Sequence, residues 1–328
     1  MENLIPVILY SLCMVPLAFL LGKNTENISD YIGEKQGGLL SATLGNLPEL
    51  IMGLWSLKYG MIAMVKASII GSILCNMLLG VGIAVIWGGV KYGEQNFNRN
   101  IARTNFQMLV LSLSAMIVLA ALDVYKNLSF DVSNSICLEI SVVLMIIYVL
   151  GLIFSLVTHK RIFESSEEVK SKKNKDKKFI YILISLFVLV ISLNFIAEKL
   201  IFNLQIFSHY YGISEEFLGI VLIPLLGNMG EMASAIISAA NNKINLSIET
   251  SIGSCIQMCM FVLPIMIIAS SFMGVSMDMI YSGFEVIMTV IAVIMSYIVF
   301  QDGKTYWFEG AILLSIYTII TLAYYYVA

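Results

Sequence analysis

The feature that most constrains this chain is its series of long apolar runs, many of them longer than the roughly 20 residues that cross a bilayer. Backbone groups have no water to bond with in lipid, so each run must close its hydrogen bonds internally as a helix. Composition agrees. The 328 residues are 59% hydrophobic and 12% charged, and a soluble domain carries about 25% charged residues. The chain therefore reads as an all-α integral membrane protein whose first partner is the lipid bilayer. A net charge of −3 gives no reason to expect a nucleic-acid partner. The five cysteines, Cys13, Cys75, Cys137, Cys255 and Cys259, sit inside apolar runs. Their odd number and placement argue against a disulfide framework. The start, Met-Glu-Asn, lacks a basic signal region, so residues 4–21 read as a retained helix.

Hydropathy divides the chain into ten spans, at 4–21, 37–57, 60–89, 101–122, 133–157, 179–198, 214–240, 245–273, 275–300 and 306–327. Gly71, Gly80 and Gly82 suggest a tilt or break within 60–89. The one strongly polar linker, 158–178, carries Glu164, Glu167 and Glu168 followed by six lysines. It reads as a solvated tether between residues 1–157 and 179–328, each holding five spans. Placing the linker in the cytoplasm puts Lys23, Lys35, Lys91, Arg99, Arg103, Lys160, Arg161, Lys243 and Lys304 on the same side. Lys58, Lys126 and Lys199 are left opposite. The asymmetry predicts both termini outside, and the plasma membrane is the expected location.

Two stretches repeat. Gly45-Asn46-Leu47-Pro48-Glu49, followed by Gly71-Ser72, matches Gly227-Asn228-Met229-Gly230-Glu231, followed by Gly253-Ser254, each position 182 residues on. Five spans per half is an odd number, so the second half starts from the opposite side and the repeats are inverted. The predicted fold is ten transmembrane helices as two inverted five-helix repeats, a pattern of secondary transporters with a midplane site.

The chemistry of the motif fits ion exchange. An ionised carboxylate at the bilayer centre costs at least about 2.5–3.5 kcal/mol, and two facing each other cost more through like-charge repulsion. Protonation or a bound cation removes that cost, so protons and a divalent cation compete for one site. Asn46 with Glu49, and Asn228 with Glu231, are three apart and fall on one helix face. Gly45 and Gly227 let the backbone unwind and turn carbonyls to the site. Such hard oxygens suit Ca2+. Ser72, Ser254 and Gln257 on the following helices could complete a polar shell.

On these residues the sequence resembles the cation/proton exchanger (CAX) family of the Ca2+/cation antiporter superfamily. The likeness extends to Gly37-Gly38-Leu39-Leu40, Gly71-Ser72-Ile73-Leu74-Cys75-Asn76, Gly253-Ser254-Cys255-Ile256-Gln257, and Asp302-Gly303-Lys304-Thr305-Tyr306-Trp307-Phe308-Glu309-Gly310. The resemblance implies export of cytosolic Ca2+ in exchange for H+ by alternating access, with Glu49 and Glu231 binding cation and proton. It implies no cofactor, Ca2+ being cargo, and leaves homo-oligomerisation open. The family carries a further helix ahead of the first repeat, and a symmetric five-plus-five core is expected to stand without it. Leu47-Pro48 replaces Ala-Thr, Met232 replaces a histidine, and Cys75 replaces a serine. The Met232 and Cys75 sulfurs favour a second reading, a Na+-coupled or Mn2+-selective exchanger of the same superfamily.

Other polar residues in the spans read as structural. Lys66 is expected to snorkel to the interface, and Glu249 to sit at the water boundary. Glu139, Glu285 and Glu309 read as capping or interhelical groups. No His-Glu-x-x-His, Gly-x-Ser-x-Gly or phosphate loop is present, so an intramembrane enzyme has no support.

Overall fold

The computed structural model describes residues 4–32, 43–126, 130–158 and 177–327. Among them the chain is almost wholly helical: α1 (Leu4–Ile32), α2 (Leu47–Lys58), α3 (Ile62–Tyr92), α4 (Arg99–Lys126), α5 (Phe130–Ile153), α6 (Lys177–Tyr211), α7 (Glu215–Gly227), α8 (Met229–Ala240), α9 (Ile244–Phe272), α10 (Gly283–Phe300) and α11 (Trp307–Val327). Eight of these are long and apolar enough to cross a membrane. The α7–α8 pair makes a ninth, bent by 58° at its break. Residues 37–42 of the expected 37–57 span lie outside the described residues, as do Lys35, the Gly37–Leu40 stretch and linker residues 159–176.

Helix ends follow local chemistry. The Ser214 hydroxyl caps α7 by accepting from the Phe217 amide. Ser282 and Glu285 form a reciprocal capping box at α10. That cap also corrects the expected 275–300 span, because helix begins only at Gly283 and 275–282 is irregular. The glycine-rich 60–89 run neither breaks nor stops. It continues as one helix through a π turn at Cys75–Gly80, and α9 carries its own π turn at Met258–Val262. Such turns interrupt the regular ladder and are frequent at functional sites.

Helices α3 and α9 form the centre. Their apolar windows are 83% and 67% buried, against 17–33% for the other single-helix spans, so the remaining helices wrap these two. The 182-residue repeat survives in the helix bounds: Leu47, Lys58 and Ile62 recur as Met229, Ala240 and Ile244. A two-stranded antiparallel ribbon pairs β1 (Glu94–Asn96) with β2 (Lys304–Tyr306), joining the loop after α3 to the start of α11.

Candidate ion-binding site

Asn46 and Asn228 stand at the two helix breaks. Each is the residue before its helix, α2 or α8, rather than a member of it. Glu49 and Glu231 fall in the first turn of those helices, where the partial positive charge of the amide dipoles favours an anion. Gly45 occupies the turn before α2, and Gly227 ends α7.

The breaks bring the two motifs together. The Asn46 amide donates to Gln257 Oε1 at 2.5 Å, and the Ser254 hydroxyl donates to Asn46 Oδ1 at 3.1 Å. The Asn228 amide donates to the Ser72 hydroxyl at 3.1 Å and to the Pro224 carbonyl at 2.9 Å. Thus each motif asparagine bonds to the central helix of the other half. Asn76, unassigned by the sequence reading, closes the chain. Its amide donates to Asn228 Oδ1 at 2.6 Å and to Ser254 Oγ at 2.9 Å, while its own Oδ1 is buried without a partner. Only its place one turn after Ser72 could have pointed to it.

The carboxyls are the conspicuous members. Glu49 is 3% exposed, and both of its oxygens are buried without a hydrogen-bond partner. Glu231 is partly exposed, lies beside Ser254 and Asn76, and has one buried unpartnered oxygen. The two are close enough to interact electrostatically. Two carboxyls, one almost dry and neither ion-paired among the described residues, require a proton or a cation between them. The adjacent amide and hydroxyl oxygens are hard donors, suited to a divalent cation of the Ca2+ type. Beside them the Cys75 thiol donates to the Met232 thioether at 3.4 Å.

Lys66 does not simply snorkel. Its ammonium donates to Asp278 Oδ1 at 2.7 Å and to the Ile280 carbonyl at 2.5 Å, tying the irregular 275–282 segment to α3.

Residues 3–157 and 180–326 match the family described as sodium/calcium exchanger protein. The chain belongs to that family. A Ca2+/H+ antiporter of Aphanothece halophytica is 34% identical over 330 residues, spanning 96% of this chain and 88% of its own length. The Ca2+/H+ antiporter ChaA of Bacillus subtilis (strain 168) is 34% identical over 322 residues, spanning 96% and 90%. The solved structure of native YfkE superposes with a TM-score of 0.85 at 32% identity, covering 97% of this chain and 91% of that one. An H+/Ca2+ exchanger CAX structure, at a TM-score of 0.77 and 16% identity, shares the fold. The likeness to cation/proton exchangers carried by the motifs therefore extends over nearly the whole chain, and these relatives are transporters rather than enzymes.

Proposed function

We propose that the chain is a secondary active antiporter that exchanges Ca2+ for H+ by alternating access, exporting Ca2+ from the cytosol. The observation that carries this is the meeting of Glu49, sealed and unpartnered, and Glu231, with one unpartnered oxygen, from helix breaks 182 residues apart, inside a shell of amides and hydroxyls. Two carboxyls can hold one divalent ion or about two protons, which makes the ions mutually exclusive occupants. The relatives named above as Ca2+/H+ antiporters support the choice of ions.

In this reading Glu49 and Glu231 bind cation and proton. Asn46, Asn228 and the backbone at Gly45 and Gly227 supply further oxygens, and Ser72, Ser254, Gln257 and Asn76 hold that shell in register. The fold is ten spans in two inverted five-helix repeats, α2 being the second part of a broken span that matches α7–α8. The equal spacing of the helix bounds supports this. The linker is cytoplasmic and both termini lie outside, as the distribution of basic residues favours.

In inverted vesicles, added Ca2+ should dissipate an imposed pH gradient, and Glu49→Gln and Glu231→Gln should abolish the response. Wild-type protein that moves Ca2+ only when sodium is supplied would sink proton coupling. A second reading, preference for Mn2+ or coupling to Na+, is favoured by the Cys75–Met232 sulfur pair beside the carboxyls. Competition among Ca2+, Mn2+, Mg2+, Na+ and K+ in the same vesicles separates the two.

A further inference from the structure

The helix that carries Glu231 is bonded to the α3 side of the fold at both of its ends. At its start, Asn228 is joined to Ser72 and Asn76 of α3. At its finish, the Lys91 ammonium and the Tyr92 hydroxyl, from the last turn of α3, donate to the Ala240 carbonyl at 2.8 and 2.9 Å. Gln95, just beyond α3 in β1, donates through Nε2 to the Ala239 carbonyl and to Asn242 Oδ1, both at 3.0 Å. Between these ends the two helices lie close. A Cβ at Gly80 of α3 would stand 3.1 Å from Cγ of Met232, the neighbour of Glu231.

Gln95 is the buried member of the far-end group. It is 1% exposed, whereas Lys91 and Tyr92 are exposed. Its backbone is fixed by pairing with Thr305 in the ribbon. Its side chain lies against α3, where a Cβ at Gly88 would collide with Oε1. The bond to Ala239 is not needed to satisfy that carbonyl, which already accepts from the Asn242 amide at 3.0 Å. Gln95 is therefore a tether between α8 and the ribbon rather than a simple helix cap. The other motif helix has a tether of the same kind: Gln205 of α6 donates to the Tyr59 carbonyl at the end of α2, at 2.9 Å.

Helix α8 is a rod of 12 residues. A 58° bend separates it from α7, and a turn with Asn242 in the left-handed region (φ 60°) separates it from α9. With the backbone broken at both ends, the contacts along its sides and at its ends fix its place. Glu231 precedes Ala239 by eight residues, about 12 Å along the axis. A rod released at Ala239 tilts, and the carboxyl near its other end moves with it.

We propose that Gln95 is a positioning residue for Glu231, holding the far end of α8 against α3 and the ribbon so that the carboxyl stands where a divalent cation is bound. The proposal rests on the exchanger reading, in which Glu231 binds the cation, and adds to it a residue that touches neither ion nor carboxyl. Lys91 and Tyr92 assist at Ala240 from the exposed side.

Two readouts test it. Gln95→Met keeps the length of the side chain and removes the donor. It is expected to raise the KM for Ca2+ about fivefold with kcat little changed, well short of the roughly hundredfold that an ångström of misplacement can cost. Infrared difference spectra, with and without Ca2+, give the carboxylate bands of Glu231 and Glu49, assigned by their loss in Glu231→Gln and Glu49→Gln. In Gln95→Met the Glu231 band should shift, and the Glu49 band should move less. Should Gln95→Met not fold, Lys91→Met/Tyr92→Phe changes exposed residues only and should shift the same band to a smaller extent. An unshifted Glu231 band or an unchanged KM would overturn the proposal. So would equal movement of both bands, which marks a general loosening of the fold. Wild-type protein with no Ca2+-induced band from Glu231 would remove the exchanger reading itself, and is recognised before any Gln95 variant is measured.

Discussion

Gly227 lies directly against Glu49: a Cβ at Gly227 would stand 2.6 Å from both the carboxyl carbon and Oε1 of Glu49. The C-terminal end of α7 therefore forms one wall of the pocket that holds the first motif's carboxyl. Only a residue without a side chain leaves room for that carboxyl together with a bound cation. If Glu49 binds the cation as proposed, Gly227→Ala is expected to reduce Ca2+ transport at least about tenfold, since displacing that carboxyl by even an ångström is costly. The protein should still insert and bind detergent normally. Transport assayed at matched expression checks this, and wild-type rates in Gly227→Ala would contradict the close wall.

Asn76 holds the site through both halves at once, donating to Asn228 and to Ser254. Its removal leaves the Asn228 oxygen and the Ser254 hydroxyl without their donor in a buried setting, where each lost partner is expensive. Asn76→Ala is expected to weaken Ca2+ binding about 10–100-fold, the range found when partners that orient a metal's ligands are removed. Calorimetric titration with Ca2+ in detergent measures it. Asn76→Asp supplies no amide donor and adds a third charge, so it should not recover proton-coupled transport.

Much of this site was legible in the sequence because the repeat marks it twice. Glu49 and Glu231, their asparagines, Ser72, Ser254 and Gln257 all converge. What the repeat could not supply is the pairing between halves. Asn76 matters only because Asn228 and Ser254, 152 and 178 residues away, come to meet it. The asparagines were read as sharing a helix face with their glutamates, whereas each stands at a break, a detail of backbone geometry that the residue pattern does not encode. The π turns in α3 and α9 were likewise invisible, since Gly71, Gly80 and Gly82 equally suit a tilt or a broken helix. The partner of Lys66 was out of view for a related reason. Asp278 lies in an irregular segment that hydropathy assigns to a span, so no partner was in view.

That Lys66–Asp278 pair carries its own prediction. The side chains are 21% and 42% exposed, so the pair is neither dry nor freely solvated. Removing one partner leaves the other's charge partly buried, which costs more than removing both. Lys66→Met is expected to destabilise the protein by about 1–2 kcal/mol. The double variant Lys66→Met/Asp278→Asn should lie closer to wild type than Lys66→Met does. Thermal unfolding of the four proteins in one detergent forms the required cycle. Strictly additive losses would mean that the pair does not couple.

The ribbon between β1 and β2 lies outside the spans, and its charges respond to pH in a defined direction. The Tyr306 hydroxyl donates to Glu94 at 2.6 Å, and the Lys304 ammonium stands 2.9 Å from the same carboxyl. The Tyr306 hydrogen bond first, and Lys304 second, hold Glu94 below the usual carboxylate range, and Glu94 in turn raises Lys304 above the usual lysine range. A depressed carboxylate contributes stability that is present above its unfolded-state pKa and is lost as pH falls through its folded one. A raised lysine contributes stability that is present below its unfolded-state pKa and is lost as pH rises through its folded one. The pair thus adds to the ribbon's stability across the neutral range, and that contribution is lost at either extreme. Tyr306→Phe removes the larger influence on Glu94, so the Glu94 titration should move up toward the ordinary carboxylate range. Carboxyl-carbon NMR of labelled Glu94 across an acid titration measures the shift. A Glu94 midpoint that is unchanged in Tyr306→Phe would show that Lys304 alone sets it.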